Sequence, residues 1–160
     1  MVINHNVRKS RRLEADEEKR FWDREHRANQ TRHKPLDGLD YIKIPLESLP
    51  MHLLEDNEKV AECLRVINEL SQTTVVNLTG FSNTDLKLEY GTANITALTQ
   101  YDQNYTLLAS TLQQWADLLY QAEQTEPART ILEFAVSTRT DVSRTYDLLA
   151  DIYIRNGQQD

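Results

Sequence analysis

Apolar residues return every three or four positions through much of the chain, the spacing that keeps one face of an α-helix out of water. Val60, Cys63, Leu64, Ile67 and Leu70 follow it behind Asp56 or Asn57, either of which suits the cap of a helix running to about Ser71. A longer stripe runs from Ala93 or Asn94 to about Gln124, through Ile95, Leu98, Tyr101, Tyr105, Leu108, Leu112, Trp115, Leu119 and Ala122. Asp102, Gln103 and Asn104 interrupt that stripe, which predicts a break in the helix there. Between the two patterns, Ser82 followed three residues later by Asp85 has the form of a capping pair. It opens a short helix that stops near Tyr90 and Gly91, where glycine suits the left-handed turn.

The first third of the chain reads differently. Residues 8–33 alternate charges at helical spacing, as in Asp23 and Arg27, and their apolar content is thin, with Leu13, Phe21, Trp22 and Ala28 as its main members. Such a helix has no full face to bury, so it projects or docks through Phe21 and Trp22. Pro35 and the Asp37-Gly38 pair end it. The stretch Leu39 to Pro50 alternates apolar residues between prolines, predicting an extended strap anchored by Tyr41, Ile42, Ile44 and Leu46. Thr73 to Leu78 is β-branched and short, either a strand or an extended connection, and the strap is its one good pairing partner.

Near the C-terminus the pattern repeats. Leu112, Trp115, Ala116 and Leu119 recur 34 residues later as Tyr146, Leu149, Ala150 and Tyr153, with Ala128, Leu132 and Ala135 between the copies. A fixed period of this length marks stacked helix-turn-helix units. Residues 112–153 resemble the tetratricopeptide repeat, with alanines where helices approach closely and large residues around them. Pro127 sits in the first turn of the second helix and Gly157 follows the last one. The family's usual terminal Pro is replaced by Thr140-Asp141, and its usual interhelical Gly by Glu123-Gln124-Thr125. The chain is also similar to a group of uncharacterised proteins from Gram-positive bacteria, through Phe21-Trp22-x-Arg24-Glu25, Lys34 to Asp37, Asn77 to Gly80 and Ser82 to Lys87. That resemblance implies no activity, and it associates the basic run at residues 8–12 with the cytoplasmic flank of a membrane anchor. The expected fold class is therefore mainly all-α: antiparallel helical hairpins with tetratricopeptide-like packing at 109–160, preceded by an extended strap and a charged N-terminal helix. The divisions are an arm at 1–34, a strap at 35–55 and a helical domain at 56–160.

Charge narrows the function classes. The net charge is −7, which argues against nucleic acid, whose phosphates require a basic surface. Residues 1–34 hold ten Lys/Arg against six Asp/Glu, so the acidity lies in the rest of the chain. Cys63 is the sole cysteine, so a reducing, cytoplasmic setting is expected, or the cytoplasmic face of a membrane reached through residues 8–12. His5, His26, His33 and His52 form no metal-ligand spacing, although His26 and His33 are seven apart on one helical face. The Asn-x-Ser/Thr triplets at Asn29, Asn77, Asn94 and Asn104 read as caps and turns. No cofactor motif is present, and Asn77 to Asp85 is explained by capping chemistry alone. The expected activity is non-catalytic binding of a protein or peptide, preferentially cationic, on the repeat surface. Candidate contacts are Gln113, Gln114, Asp117, Tyr120 and Gln121, polar or aromatic positions off the packing stripe. The alternative is a structural or assembly protein that uses its arm for oligomerisation or membrane-surface tethering.

Overall fold

Side-chain caps decide where the helices begin. In the computed structural model, Asn57 opens one helix by accepting from the N–H groups of Lys59 and Val60 at 3.0 and 3.2 Å. Ser82 opens another with a reciprocal capping box, in which its hydroxyl accepts from the Asp85 N–H and the Asp85 carboxylate accepts from the Ser82 N–H, both at 3.1 Å. The structure describes residues 2–30 and 34–157, with side chains from Val7 to Arg27 and from Lys34 to Gly157. His5, Asn29 and His33 therefore lie outside the described side chains. Among the described residues the fold is mainly helical: α1 Val2–Gln30, α2 Glu58–Ser71, α3 Asn83–Tyr90, α4 Ile95–Gln121, α5 Thr125–Ser137 and α6 Ser143–Arg155. Among the described residues no helix is long and apolar enough to cross a membrane.

The chain divides into two compact units, Met1–Gly38 with Gly80–Leu98, and Leu39–Thr79 with Thr99–Asp160. In the first unit α1 lies against α3. The contact is polar rather than aromatic. Arg24 pairs with Asp85 at 3.0 Å, the Thr84 hydroxyl donates to Glu25 at 2.9 Å, and Lys87 stands 3.5 Å from Glu25. Lys34 ties the segment after α1 to Glu89 twice, through its backbone N–H at 2.9 Å and its ammonium at 2.8 Å. Of the two outcomes expected for the arm, projecting or docking through Phe21 and Trp22, the aromatic docking is not what is seen: the rings are 56% and 61% exposed and meet edge to face, 5.4 Å apart. The reason is charge: Glu25 and Arg24 sit opposite Lys87 and Asp85, and those pairings set which side of α1 turns inward.

The second unit is built around one apolar cluster that draws on every segment within it. Val60, Cys63, Ile67 and Leu70 come from α2, Tyr105, Leu108, Leu112, Trp115 and Leu119 from α4, Ala128, Leu132 and Ala135 from α5, and Leu148 and Ile152 from α6. Burial raises the pKa of the Cys63 thiol, with the neighbouring Glu62 charge adding to it. Ile44 and Leu49 of the proline-containing stretch are buried in the same cluster, and Ile42 and Leu46 pack against it. Tyr41 is only half covered, at 43% exposed, with its ring edge-on to Tyr101 at 6.5 Å. This stretch pairs with residues 73–78 through an isolated antiparallel bridge, Tyr41 with Val76, and a 2.9 Å bond from the Ile42 N–H to the Val75 carbonyl. Pro45 has no N–H to continue a ladder, and the chain turns at once, with Leu49 bonding back to the Pro45 carbonyl.

The break predicted at Asp102–Asn104 does not occur. Helix α4 continues through it because the polar side chains are used outward: Asp102 accepts from the Leu78 N–H at 3.4 Å and Asn104 donates to the Thr74 carbonyl at 2.9 Å. Those bonds satisfy the buried connection carrying Val75, Val76 and Leu78, which has almost no ladder of its own.

Two predictions follow from this packing and capping. Trp115 is fully buried and its indole N–H donates to no protein acceptor, so the ring contributes through packing alone. Trp115→Ala should lower the unfolding free energy by about 3–5 kcal/mol, and Trp115→Phe by less than half of that loss; equal losses in urea titrations would contradict the assignment. In α3, the Asp85 carboxyl is held below its ordinary value chiefly by the Ser82 backbone N–H, then by the Ser82 side chain and Arg24, with burial opposing. A lowered folded-state pKa means the stabilisation is complete above the ordinary Asp range and disappears as pH falls through the lower folded value. Carboxyl NMR titration should give Asp85 a pKa below that of the acid-unfolded chain, and Asp85→Asn should flatten stability against pH in that window alone.

Candidate functional site

Helix α4 carries all five of the residues singled out from sequence, and α6 carries groups that hold three of them. Gln113 is buried at 8% exposure. Its carbonyl oxygen accepts from the Thr145 hydroxyl of α6 at 2.7 Å, and its amide donates to Asp117 at 3.1 Å. Asp117 also receives the Arg144 guanidinium at 3.1 Å. Tyr120 is half-buried, with the Arg155 guanidinium 5.4 Å over its ring. Thus Gln113, Asp117 and Tyr120 form a polar seam that joins α4 to Thr145 and Arg144 near the start of α6 and to Arg155 at its end. Gln114 and Gln121 are exposed, seven residues apart on one line of α4 with the 47% exposed Leu107.

A second set of bonds fixes α5. Tyr105 of α4 reaches the end of α5, its hydroxyl 3.2 Å from the Thr138 carbonyl and 3.1 Å from the Thr138 hydroxyl. Tyr153 of α6 donates to Glu133 at 2.7 Å, which raises the Tyr153 pKa because the carboxylate favours the protonated phenol. Asn156 donates to Glu126 at 3.0 Å. The polar partners on α6 were legible only in part. Thr145 stands 34 residues after Thr111, at the same place in the repeated pattern, and both are buried. That recurrence was a signal; the pairing of Arg144 with Asp117 had none.

Beyond the seam, a cavity of about 240 Å³ is lined by Asp40, Tyr41, Lys43, Asn77, Ser137 and Arg139 among others. Asn77 donates to the Thr138 and Arg139 carbonyls at 3.0 and 3.2 Å, and its own oxygen accepts from the Thr79 N–H. It acts as the turn residue expected of it, in a turn closed partly by the end of α5. Arg139 sits in the left-handed region with φ of 63°, just past the last turn of α5, and Glu123 does the same after α4 with φ of 62°. Among the described residues, His26 and His52 join no cluster of metal-binding type, and His52 bonds to Glu55 at 2.9 Å in an exposed turn. No family model, curated protein or solved structure matches the chain.

The Gln113–Thr145 bond generates a direct test of the seam. Thr145→Val keeps shape but leaves the buried Gln113 oxygen without its donor, and should cost about 1–3 kcal/mol. Adding Gln113→Leu should restore much of that loss, because an apolar pair has no unmet polar atom. Additive losses in the double variant, measured by denaturant unfolding, would show the two side chains to be uncoupled.

Proposed function

We propose that the chain is a non-catalytic interaction module whose C-terminal helices pack in tetratricopeptide fashion and take a peptide or protein partner on their surface. The observation that supports this most is the seam. Gln113, Asp117 and Tyr120 spend their polar groups on α6, aligning α4 and α6, while Gln114 and Gln121 beside them stay open to solvent. A glutamine amide both donates and accepts, which suits the backbone of an extended or helical peptide. The acidity of the chain outside residues 1–34 favours a cationic segment.

A second reading has its own support. The exposed Phe21 and Trp22 pair on a helix with basic residues at 8, 9, 11 and 12 suits assembly with a partner or attachment to a membrane surface. Both readings are served by one set of measurements. Lysine-rich peptides on an array should bind the full chain more weakly as salt rises. The Gln114→Ala/Gln121→Ala variant should lose about tenfold in affinity without a change in melting temperature. If light scattering shows an oligomer that deletion of residues 1–34 abolishes, and no peptide binds, the arm reading replaces the docking one.

A further inference from the structure

The same residue pattern occupies two different surroundings in this chain. In α4, Leu112, Trp115, Ala116 and Leu119 are completely buried, in the cluster to which α5 contributes Ala128, Leu132 and Ala135. In α6, 34 residues later, Leu149 is buried but Tyr146 is 43% exposed and Ala150 is exposed. Ile154, which corresponds to Tyr120, is 61% exposed. Tyr146, Ala150 and Ile154 are four apart and share one side of α6, away from the buried Leu148 and Ile152. What the fold covers on α4, it leaves open on α6.

We infer that this open side of α6 docks an amphipathic helix from another protein, one carrying a stripe of small and aliphatic residues flanked by Lys or Arg. The inference rests on reading the C-terminal helices as an interaction module, and it names the face and the partner's chemistry. The charges on α6 are divided. Arg144 turns to Asp117 and Arg155 to Tyr120, both toward α4. Asp147 and Asp151, one turn apart beside the open stripe, are exposed and form no ion pair among the described residues. The flank offered to a partner is therefore acidic, and a basic flank complements it.

The shape is set in advance. The Tyr146 hydroxyl donates to the Thr140 carbonyl at 2.6 Å and the Tyr153 hydroxyl to Glu133 at 2.7 Å, so both rings are held before anything binds. Ala150 between them lets a facing helix approach closely. Helix α6 packs against α5 in this fold, and the buried stripe of α5, Ala128, Leu132 and Ala135, spaced four and three apart, gives a pattern that a facing helix could carry. A second copy of this chain is a poor occupant. Two α6 helices paired antiparallel about Ala150 would set Asp147 of one beside Asp151 of the other, and like charges there repel.

The probe is an amidated peptide of residues 125–137 carrying E126K and E133K, which keeps the α5 stripe and makes its flank basic. Titrated into the full chain and followed by calorimetry, it should bind, and more weakly at about 500 mM salt than at about 50 mM. Ala150→Arg should weaken binding about tenfold or more, and Asp147→Asn/Asp151→Asn should weaken it and remove most of the salt dependence. Ile154→Ser provides a second blocking variant at an exposed site, and thermal unfolding confirms that each variant is folded. Gln103→Ala, an exposed position of α4 outside both surfaces, should bind the probe as the natural chain does. Failure of the natural chain to bind, or undiminished binding by both Ala150→Arg and Ile154→Ser, overturns the inference. Loss of probe binding in Gln114→Ala/Gln121→Ala but not in Ala150→Arg or Ile154→Ser would also overturn it while leaving the interaction-module reading in place. A dimer of the natural chain in sedimentation that Ala150→Arg dissociates would assign the face to a second copy and overturn it as well.

Discussion

Helix α4 stays helical through Asp102, Gln103 and Asn104, and the second unit depends on that. Tyr105, Leu108, Leu112, Trp115 and Leu119 follow directly on the same helix in one buried line, so Asp102 and Asn104 are held in fixed register with the core. Asp102 and Asn104 bond the backbone of residues 74–78, a buried connection with little ladder of its own. The arrangement is reciprocal. The connection gains partners for its N–H and C=O groups, and α4 gains a use for side chains that would otherwise compete with its own backbone.

How much of this was readable follows from where each signal resides. Local signals came through intact: the Asn57 cap, the Ser82 and Asp85 box, and the stop at Gly91 depend on residues a few positions apart. Periodicity likewise located the buried faces of α2 and α4, including Cys63. The errors arose where a polar residue found a partner far along the chain. Asp102 and Asn104 looked like breakers because residues 74–78 are 24 and 30 positions away. For the arm, projection and docking through Phe21 and Trp22 were both open, and the contact with α3 is made instead by Arg24 and Glu25 through Asp85, Thr84 and Lys87.

The candidate surface shows the same division. Gln113, Gln114, Asp117, Tyr120 and Gln121 were alike in sequence, all polar or aromatic and all off the apolar stripe. Packing separates them. Gln113, Asp117 and Tyr120 meet Thr145, Arg144 and Arg155, while Gln114 and Gln121 meet solvent. A helical wheel gives the direction of a side chain but not whether another helix lies there. The identity of that neighbour turns a surface glutamine into a buried strut.

The turns that follow α4 and α5 each place a residue with a Cβ, Glu123 and Arg139, where the left-handed backbone favours glycine. An L-residue gives up about 1 kcal/mol in such a conformation. Both hairpins are therefore held together against a small standing bias in their own links, and the alanine-lined contacts between helices must be strong enough to impose the bend. Evolution or an engineer has an immediate reserve here: glycine at either link would relax the backbone without touching the interior, and would leave the helices free to tolerate costlier changes on their outer faces.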